Sequence, residues 1–489
     1  MTDLDHRSQR IAKLEQLREQ GIDPYPARVY YTHTAAEAVA AFEAQEGEEG
    51  PHVQVVGRMV SQRIMGRSSF AHLADGSGKI QIYVRQDVVG EETYHLFRRM
   101  TDLGDFCEAE GELFRTRTGE ITVRVSDLRL ISKALRPMPE KWHGLRDVET
   151  RYRQRYLDLM ANEDVRRIFL TRSRMVAAVR RFLDDRGFVE VETPILQPIY
   201  GGAAARPFVT HHNALDQRLY LRIADELYLK RLIIGGLDRV YEIGHNFRNE
   251  GISTKHNPEF TAIEIYQAYA DYHDIMDLVE ELYSEVARAV LGSDSLEYQG
   301  DTIDLSPPWR RITMRDAILD ATGLDIAELG DYAALWQAAQ NRDLSVGPQP
   351  SWGKLVDALF GEYVEPKLVQ PTFVIDYPRE ISPLAKNKPG EPEWVERFEF
   401  FIAGMESGNA FSELNDPLEQ RSRFAEQGRA SQAGDEEAHP MDEDFLTALE
   451  HGMPPTGGLG FGIDRMAMLF TDQTSIREVI LFPQLRAID

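Results

Sequence analysis

The chain has 489 residues and a net charge of −25, a length typical of two or three domains with a sizeable core. It contains no run of 18 apolar residues, and its first residues, MTDLDHRSQR, lack the apolar segment of a signal peptide. We therefore expect no membrane span and a cytoplasmic location. Cys107 is the only cysteine, which excludes an intrachain disulfide and a cysteine-based zinc site.

The negative charge disfavours a nucleic-acid partner at first sight, but it is unevenly distributed. Residues 1–145 contain 19 Lys and Arg against 22 Asp and Glu, so most of the excess lies in the rest of the chain. Within residues 115–155, 11 basic residues outnumber 5 acidic ones. Because a local basic face binds a phosphate backbone, RNA binding stays open, as does random variation of charge along the chain.

Residues 1–20 are predicted to form an amphipathic helix within an N-terminal helical extension of residues 1–50. Residues 51–135 have the pattern of an all-β domain, with strand-like runs at 53–60, 69–73, 79–85, 106–114 and 121–131. A helical piece near residues 91–100 separates the third and fourth runs. This layout matches the OB-fold, a β-barrel that commonly binds oligonucleotides through stacked aromatic rings. Phe70, on the second run, could be such a stacking residue or a core residue.

Residues 136–162 are predicted to be a linker, because Pro and Gly recur in its first half. A larger domain, residues 163–489, follows. It begins with a long amphipathic helix over residues 164–186, ended by Gly187, and an alternating strand over residues 188–195. Pro194 cannot donate a ladder hydrogen bond, so this strand should lie at a sheet edge or at an interface.

Residues 201–236 continue with a small-residue loop at 201–205 and a helix that Glu226 opens, where the helix dipole favours a carboxylate. Residues 240–271 then predict two strands around a polar loop. That loop contains Arg248, Asn249, Glu250, Lys255 and His256. On the second strand Phe260, Glu264 and Tyr266 share one face, and Ile263 and Ile265 share the other. This pattern favours a lined pocket over a solvated surface; the alternative is a charged hairpin with a surface Arg–Glu pair.

Two C-terminal segments carry further candidate ligands, after a predicted helical insertion at about residues 291–380. Glu399 and Glu406 are seven positions apart, so a bend near Gly404 is needed if both bind one metal. Either could instead be an exposed strand residue. Residues 457–470, GGLGFGIDRMAMLF, predict a glycine-rich strand leading into a helix with Arg465 in its first turn. A cation there opposes the helix dipole, which favours a bound anion over pairing with a core acid.

Several of these segments resemble the class II lysyl-tRNA synthetases of bacterial type, and the resemblance extends from about residue 50 to 486. Residues 240–271 resemble motif 2, residues 457–470 resemble motif 3, and the helix and edge strand at 164–195 resemble motif 1. The most specific wording is RIMGRSSF at 63–70, KALRP at 133–137, RYRQRYLDL at 151–159, GGAAARPF at 201–208, FRNEGIS at 247–253 and ILFPQLR at 480–486. The resemblance implies an α+β protein, with an N-terminal OB-fold β-barrel and a catalytic antiparallel sheet flanked by helices.

The resemblance also implies roles for individual residues. The two catalytic residues are Arg248 and Arg465. The ATP-binding residues are Arg248, Glu250, His256, Asn257, Phe260, Gly462 and Arg465, with Phe260 stacking on adenine. The lysine-binding residues are Gly202, Glu226, Glu264, Tyr266, Asn409, Phe411 and Glu413. The anticodon-reading residues are Arg63, Phe70, Gln81 and Glu120, and the magnesium ligands are Glu399 and Glu406.

The implied reaction joins L-lysine to tRNA(Lys) with ATP and Mg²⁺, through a lysyl-adenylate, in a homodimer held together by the motif 1 element. Lysine carboxylate is already ionised at neutral pH, so positioning and charge neutralisation should dominate the first step. Three alternatives remain at this point. They are a paralogue that lysylates a protein lysine, the aspartyl or asparaginyl enzyme, and a non-catalytic RNA-binding relative.

Overall fold

The computed structural model describes residues 3–45, 49–139, 145–432 and 440–487. Residues 46–48 of the predicted extension and 140–144 of the predicted linker lie outside this part of the chain. The chain divides into two compact units, residues 1–146 and 147–489. Among the described residues, no helix has the length and apolar character that crossing a membrane requires.

The first unit combines short helices with a five-stranded barrel. Its helices are α1 (Asp3–Glu19), α2 (Ala35–Glu43), α3 (Gln86–Val89) and α4 (Glu91–His95), and a π-helical turn over Leu96–Met100 continues α4. Its strands are β1 (Glu49–Met65), β2 (Ser68–Ala74), β3 (Lys79–Arg85), β4 (Phe106–Arg115) and β5 (Ile121–Ser132). The strands close in the order β1-β2-β3-β5-β4, which confirms the predicted OB-fold layout.

Strict alternation on β2 and β3 separates the barrel core from its outer face. Ala71 and Leu73 on β2, with Ile82 and Val84 on β3, are almost completely buried. The intervening side chains, which include Phe70 and Gln81, therefore point to the opposite face of the sheet. Two of the predicted anticodon residues thus lie on the outside of the barrel.

The second unit is built on a large mixed sheet. Its helices are α5 (Val148–Arg153), α6 (Arg155–Ala161), α7 (Glu163–Asp184), α8 (Glu226–Ile234), α9 (Tyr272–Leu291), α10 (Met314–Thr322), α11 (Tyr332–Asn341), α12 (Trp352–Tyr363), α13 (Pro417–Gln432), α14 (Glu443–Glu450), α15 (Ile463–Phe470) and α16 (Ile476–Val479). Its strands are β6 (Val189–Glu190), β7 (Leu196–Gln197), β8 (Val209–His212), β9 (Gln217–Leu221), β10 (Arg239–Phe247), β11 (Glu259–Ala268), β12 (Ser295–Tyr298), β13 (Asp301–Asp304), β14 (Arg310–Thr313), β15 (Thr372–Pro378), β16 (Asn387–Lys388), β17 (Glu391–Ile402), β18 (Met405–Ser412) and β19 (Thr456–Gly462).

The main sheet has nine strands, and its path runs β14-β15-β17-β18-β19-β11-β10-β6, with β16 beside β17. Its pairs are antiparallel except for β14 with β15 and β10 with β6. Helices α7 and α9 pack on one face, where Ile263 and Ile265 of β11 are fully buried in the core. The opposite face of β11 carries Phe260, Glu264 and Tyr266, so the predicted in-and-out pattern of this strand is confirmed.

The structure differs from the predicted linker at residues 147–162. These residues form α5 and α6 within the second unit, and Arg155 there is completely buried. Its guanidinium donates to Asp158 at 2.7 Å and to the backbone carbonyl of Leu481 at 3.0 Å. The arginine-rich sequence thus holds the C-terminal segment in place by buried polar contacts, which its composition alone did not indicate.

The predicted edge strand and insertion are also corrected in their extent. β6 does lie at the sheet edge, beside β10, but it spans only two residues of the predicted 188–195. Within residues 291–380, β12 and β13 form a separate hairpin and β14 and β15 belong to the main sheet, so the helical insertion consists of α10, α11 and α12 between β14 and β15. The short apolar strand β15 was not predicted from the sequence, because it lies between helical segments.

Candidate active site

One cavity of about 510 Å³ lies on the face of the main sheet opposite α7 and α9. The hairpin β10–β11, the hairpin β17–β18, the junction of β19 with α15, the start of α8 and the loop at residues 201–205 surround it. Its lining includes every residue predicted to bind ATP, lysine or magnesium. Residues spread over more than 260 positions of sequence therefore meet in one place.

Arg248 is the first residue of the loop that joins β10 to β11, and its guanidinium lies 5.1 Å from the centroid of the Phe260 ring. Its buried Nε makes no hydrogen bond within the described structure. Burial lowers the pKa of Arg248, against the raising effect of Glu250 and Glu406. A buried cationic donor without a partner favours an anion in the cavity, such as a carboxylate or phosphate.

Arg465 lies in the first turn of α15, and in this state it bonds to a predicted metal ligand. Its Nη1 donates to the backbone carbonyl of Glu406 at 2.6 Å and to the Glu406 carboxylate at 3.1 Å. Its Nη2 lies 3.5 Å from His256 Nε2. Burial and the Arg465 charge lower the pKa of His256, so a neutral imidazole can accept from this guanidinium. Arg465 and His256 thus form one polar wall of the cavity.

Glu399 and Glu406 come together because β17 and β18 form a hairpin. Ala403 and Gly404 both have positive φ in its turn, and a register shift follows Phe400. This geometry supplies the bend expected near Gly404, and both carboxylates line the cavity. Burial and the Glu406 charge raise the pKa of Glu399 to about 7, although the neighbouring Arg397 opposes the rise.

The environment of this carboxylate pair fits a divalent cation bound together with phosphate. Burial would raise the pKa of Glu406, but Arg465, Arg248 and Arg397 together outweigh it and lower that pKa. Among residues 3–45, 49–139, 145–432 and 440–487 no group of three acidic, His or Cys side chains forms a metal cage. Magnesium commonly uses one or two carboxylates plus phosphate and water, so two glutamates suffice.

A cluster of buried acids occupies the deep end of the cavity. Glu264 Oε1 accepts from the backbone N–H of Asp225 at 3.3 Å, and its Oε2 accepts from the Tyr266 hydroxyl at 3.1 Å. Burial and the charge of Asp225 raise the pKa of Glu264 well above its usual range. Such a concentration of carboxylates favours a ligand with cationic groups.

Glu413 follows directly after β18 and is completely buried beside Glu226. Its Oε1 has no hydrogen-bond partner among the described residues, whereas its Oε2 forms an ion pair with Lys230. Lys230 also donates to Glu226 Oε1 at 2.5 Å. The Glu413 carboxylate therefore has one occupied oxygen and one buried, unsatisfied oxygen in a cavity wall.

Two glycines allow these groups to lie this close to the backbone. A Cβ at Gly458 on β19 would lie 1.9 Å from Glu413 Oε1 and 2.6 Å from the Tyr266 ring. At Gly202, φ is +88°, and a Cβ would lie 2.9 Å from that of Ala224. Glycines in a strand often mark a place where another group closely approaches the backbone. At Gly458 the group that approaches is the protein's own glutamate.

Arg397 of β17 lines the cavity and organises it through side-chain hydrogen bonds. Arg397 Nε donates to Asn409 Oδ1 at 3.0 Å, and its Nη2 donates to Glu399 Oε1 at 2.6 Å. Asn409 lies directly opposite Glu399 across the hairpin, and Arg397 lies opposite Phe411. One buried guanidinium thereby fixes a predicted lysine-binding amide and a predicted metal ligand.

The predicted anticodon residues gather on the outer face of the barrel. The Phe70 ring stacks on Tyr83, with centroids 4.6 Å apart, and Arg63 lies opposite Phe70 across the β1–β2 pair. Gln81 Nε2 donates to Glu120 Oε2 at 2.6 Å. These contacts place an aromatic platform and a hydrogen-bonding carboxylate on one surface.

A histidine that the sequence analysis did not single out completes this surface. His72 Nε2 lies 2.7 Å from Glu120 Oε1, and its Nδ1 lies 2.7 Å from the Ser61 hydroxyl. Gln81 and His72 thus hold the two oxygens of Glu120 in a fixed position. The sequence did contain a signal for His72. It is two positions after Phe70 on an alternating strand, so both side chains should lie on the same face.

Comparison with known proteins agrees with both units. A family model described as tRNA synthetases class II (D, K and N) matches residues 147–486, and one described as OB-fold nucleic acid binding domain matches residues 53–131. A lysine–tRNA ligase from Chloroflexus aurantiacus is 58% identical over 483 residues, which is 99% of this chain and 98% of that protein. The chain belongs to the lysine–tRNA ligase branch of the class II tRNA synthetases.

Other members of this branch match over a similar extent. A lysine–tRNA ligase from Pelotomaculum thermopropionicum is 57% identical over 479 residues, covering 98% of this chain and 94% of that protein. One from Dehalococcoides mccartyi is 54% identical over 483 residues, covering 98% and 97%. The resemblance to lysyl-tRNA synthetases seen in the sequence and the α+β fold class are thereby confirmed.

Among the residues that line or support the cavity and were not predicted are Asp225, Lys230 and Arg397. A signal existed for Arg397, which shares a strand face with Glu399, two positions away. For Lys230 the spacing of four from Glu226 indicated an ordinary ion pair on a solvated helix, so its burial could not be read from the sequence.

Proposed function

We propose that this protein attaches L-lysine to tRNA(Lys) at the expense of ATP, through a lysyl-adenylate. The observation that supports this most strongly is the composition of the cavity described above. Two guanidinium groups, from Arg248 and Arg465, lie at one part of it, and the buried acids Glu226, Glu264 and Glu413 lie at another. The first pair suits phosphates and a carboxylate, and the second set suits the two ammonium groups of lysine.

In the proposed first step a lysine carboxylate oxygen attacks the α-phosphorus of ATP. A new O–P bond forms, the bond to the leaving pyrophosphate breaks, and the product is lysyl-adenylate. The role of Arg248 is to bind the lysine carboxylate and the α-phosphate, which brings two anions together. Arg465 and His256 would hold the outer phosphates, with Phe260 stacking on adenine and Glu250, Asn257 and Gly462 shaping the nucleotide site. Placement and charge neutralisation are the expected sources of rate enhancement.

Glu399 and Glu406 are the proposed ligands of magnesium. The ion would supply charge neutralisation on the phosphates of ATP. Because Arg465 bonds to Glu406 in the present structure, we expect nucleotide binding to transfer part of this arginine's contacts from the glutamate to phosphate. Tyr377 donates to Glu399 at 3.0 Å and keeps its second oxygen oriented.

In the proposed lysine site Glu226, Gly202 and Asn409 hold the α-amino end. Phe411 packs along the methylene chain, and Glu264, Tyr266 and Glu413 receive the side-chain ammonium. In the second step the 3′-terminal hydroxyl of tRNA takes the lysyl group and releases AMP. Arg63, Phe70, Gln81 and Glu120 would read the anticodon.

Amino-acid-dependent exchange of pyrophosphate into ATP tests the proposed function directly. When exchange is measured in the presence of magnesium with each of the twenty amino acids in turn, lysine alone should support rapid exchange. Aminoacylation should then be found with tRNA(Lys) and not with tRNA(Asp) or tRNA(Asn). Exchange driven by aspartate or asparagine, or none with any amino acid, would contradict the proposal. The closed barrel, which paralogues that lysylate proteins typically lack, favours tRNA as the acceptor.

Phe70→Ala should weaken aminoacylation of tRNA(Lys) by about 1–3 kcal/mol in kcat/KM, the usual contribution of one stacked base. Adenylate formation without tRNA should stay almost unchanged. Phe70→Leu is the matched variant, because it keeps an apolar side chain against Tyr83 but offers no ring. If Leu restores aminoacylation, or if both activities fall together, Phe70 acts in packing and not in base recognition.

We propose a homodimer in the cytoplasm, formed through the predicted element at residues 164–195. Exposed apolar side chains lie along it, including Leu170 on α7, Val189 on β6 and Ile195 after it. Apolar edges of this kind favour coverage by a second copy. Light scattering at micromolar protein should therefore give the mass of a dimer. A fully active species with the mass of one chain would refute the proposed assembly.

A further inference from the structure

The lysine site of the proposed function already contains a lysine of the protein itself. Lys230, on α8, is completely buried, and its Nζ contacts the carboxylates of Glu226 and Glu413. Its ammonium also lies 5.4 Å from the centroid of the Phe411 ring. The Lys230 side chain therefore lies near three residues of the proposed lysine site. Glu226 is proposed to bind the α-amino group, Phe411 the methylene chain and Glu413 the side-chain ammonium.

We propose that Lys230 is a positioning residue of the amino-acid site, whose ammonium keeps the carboxylates of Glu226 and Glu413 charged and in place before the substrate binds. This inference rests on the proposed function, because it assumes that both carboxylates receive ammonium groups of lysine. Two carboxylates buried side by side without a cation would repel each other, and one of them would take up a proton. The i, i+4 spacing on one helix fixes Lys230 to Glu226 independently of any ligand.

The charges around Lys230 come from every element that packs against it. Asp225 precedes α8, Glu264 and Tyr266 come from β11, Arg397 comes from β17, and the Arg222–Glu242 ion pair lies behind Asp225. Burial raises the pKa of Glu226 and Glu413, and the Lys230 ammonium opposes that rise. Burial would lower the pKa of Lys230 itself, but Glu226 and Glu413 together raise it. Lys230 therefore stays cationic across the neutral range.

The Lys230 ammonium thus pairs with two of the carboxylates that are proposed to receive the substrate. Without Lys230, proton uptake by one carboxylate would remove one of the charges that face the substrate.

The decisive measurement is the KM for lysine in ATP–pyrophosphate exchange between about pH 6.5 and pH 8.5. Lys230→Gln should raise this KM by about tenfold or more at the acid end. The ratio of the variant's KM to that of the parent should fall as the pH rises. Without the Lys230 ammonium, the raised pKa values of Glu226 and Glu413 allow these carboxylates to ionise only at the higher pH. Dividing by the parent removes the titration of lysine itself. The KM for ATP should change little.

Two further variants separate charge from packing. Lys230→Arg keeps the cation and should show no slope in the KM ratio. Arg231→Gln removes a cation from the same helix that pairs with Asp442 outside the cavity, and it should behave as the parent. A ratio for Lys230→Gln that is independent of pH, or kinetics equal to those of Arg231→Gln, would overturn the proposal.

If Lys230→Gln folds poorly, the pH dependence of its loss in Tm provides a second measurement. Unpaired buried carboxylates with raised pKa values destabilise the native state more as the pH rises, so its loss in Tm should be larger at about pH 8 than at about pH 5.5. An equal loss at both pH values would assign Lys230 to packing alone. A parent enzyme without lysine-dependent exchange would instead contradict the proposed function, whatever the variants do.

Discussion

Arg248→Ala should reduce lysine-dependent ATP–pyrophosphate exchange by roughly 100-fold or more. Its guanidinium is the proposed contact to both reacting anions, and one well-placed donor to a developing charge contributes about 3–4 kcal/mol. The Nε of Arg248 makes no hydrogen bond within the described structure, so truncation leaves no protein partner of that atom unsatisfied. The variant should therefore fold, and the loss should appear mainly in kcat/KM measured by isotope exchange.

Arg218→Ala is the matched control, because Arg218 is an exposed arginine on β9 that contacts only the Tyr220 ring among the interactions described for it. It should retain the exchange rate of the parent. Near-parent exchange by a folded Arg248→Ala protein would remove Arg248 from the reaction. Arg465→Ala should act in the same direction, but it also leaves Glu406 without its partner, so Arg248 is the cleaner test.

Glu413→Gln should lower kcat/KM for lysine by at least about 30-fold, while the affinity for ATP stays nearly constant. Glutamine keeps the shape of the side chain but removes the charge that would receive the substrate ammonium. Breaking one partner of a buried charge pair costs on the order of 2–5 kcal/mol. Norleucine has the methylene chain without the ammonium, so the variant should discriminate against it less strongly than the parent does.

Glu393→Gln, at the exposed start of β17, is the control for this change of charge. It should leave both the lysine kinetics and the preference over norleucine unaltered. If Glu413→Gln keeps the parent's lysine-to-norleucine ratio, Glu413 does not face the ammonium, and Glu264 becomes the leading candidate. The lysine-to-norleucine ratio also distinguishes two roles of Glu413. Loss of its contact with Lys230 alone would not alter this ratio, whereas loss of a contact with the substrate ammonium would.

Period-two patterns in the sequence predicted the strands that carry the site. On β11 the alternation of Glu264 with Ile263 and Ile265 decided which face meets the core, since a buried β-branched pair and a carboxylate cannot share a face. The barrel strands were predicted for the same reason. Local alternation is sufficient wherever one face of a strand is apolar and the other is not.

Tertiary pairing explains the features that the sequence did not reveal. The approach of Glu399 to Glu406 depends on the hairpin turn at Ala403 and Gly404, and Ala403 is an unusual residue for positive φ. The burial of Arg155 and Lys230 depends on partners that are distant in sequence, Leu481 and Glu413. Charged residues on a helix ordinarily face solvent, and only the packed structure shows the exceptions.

The absence of a side chain at Gly458 leaves room for the Glu413 carboxylate in the proposed amino-acid site. Glu413 extends across this position, where any Cβ would overlap its carboxylate. A larger residue would displace the carboxylate from its present position and change the space left for an aliphatic chain. In the proposed lysine site, the length of diamino acid that is accepted should therefore respond to the residue at this position of β19. Selection for lysine over its shorter homologue ornithine would then depend on a glycine as much as on the acid that binds the ammonium.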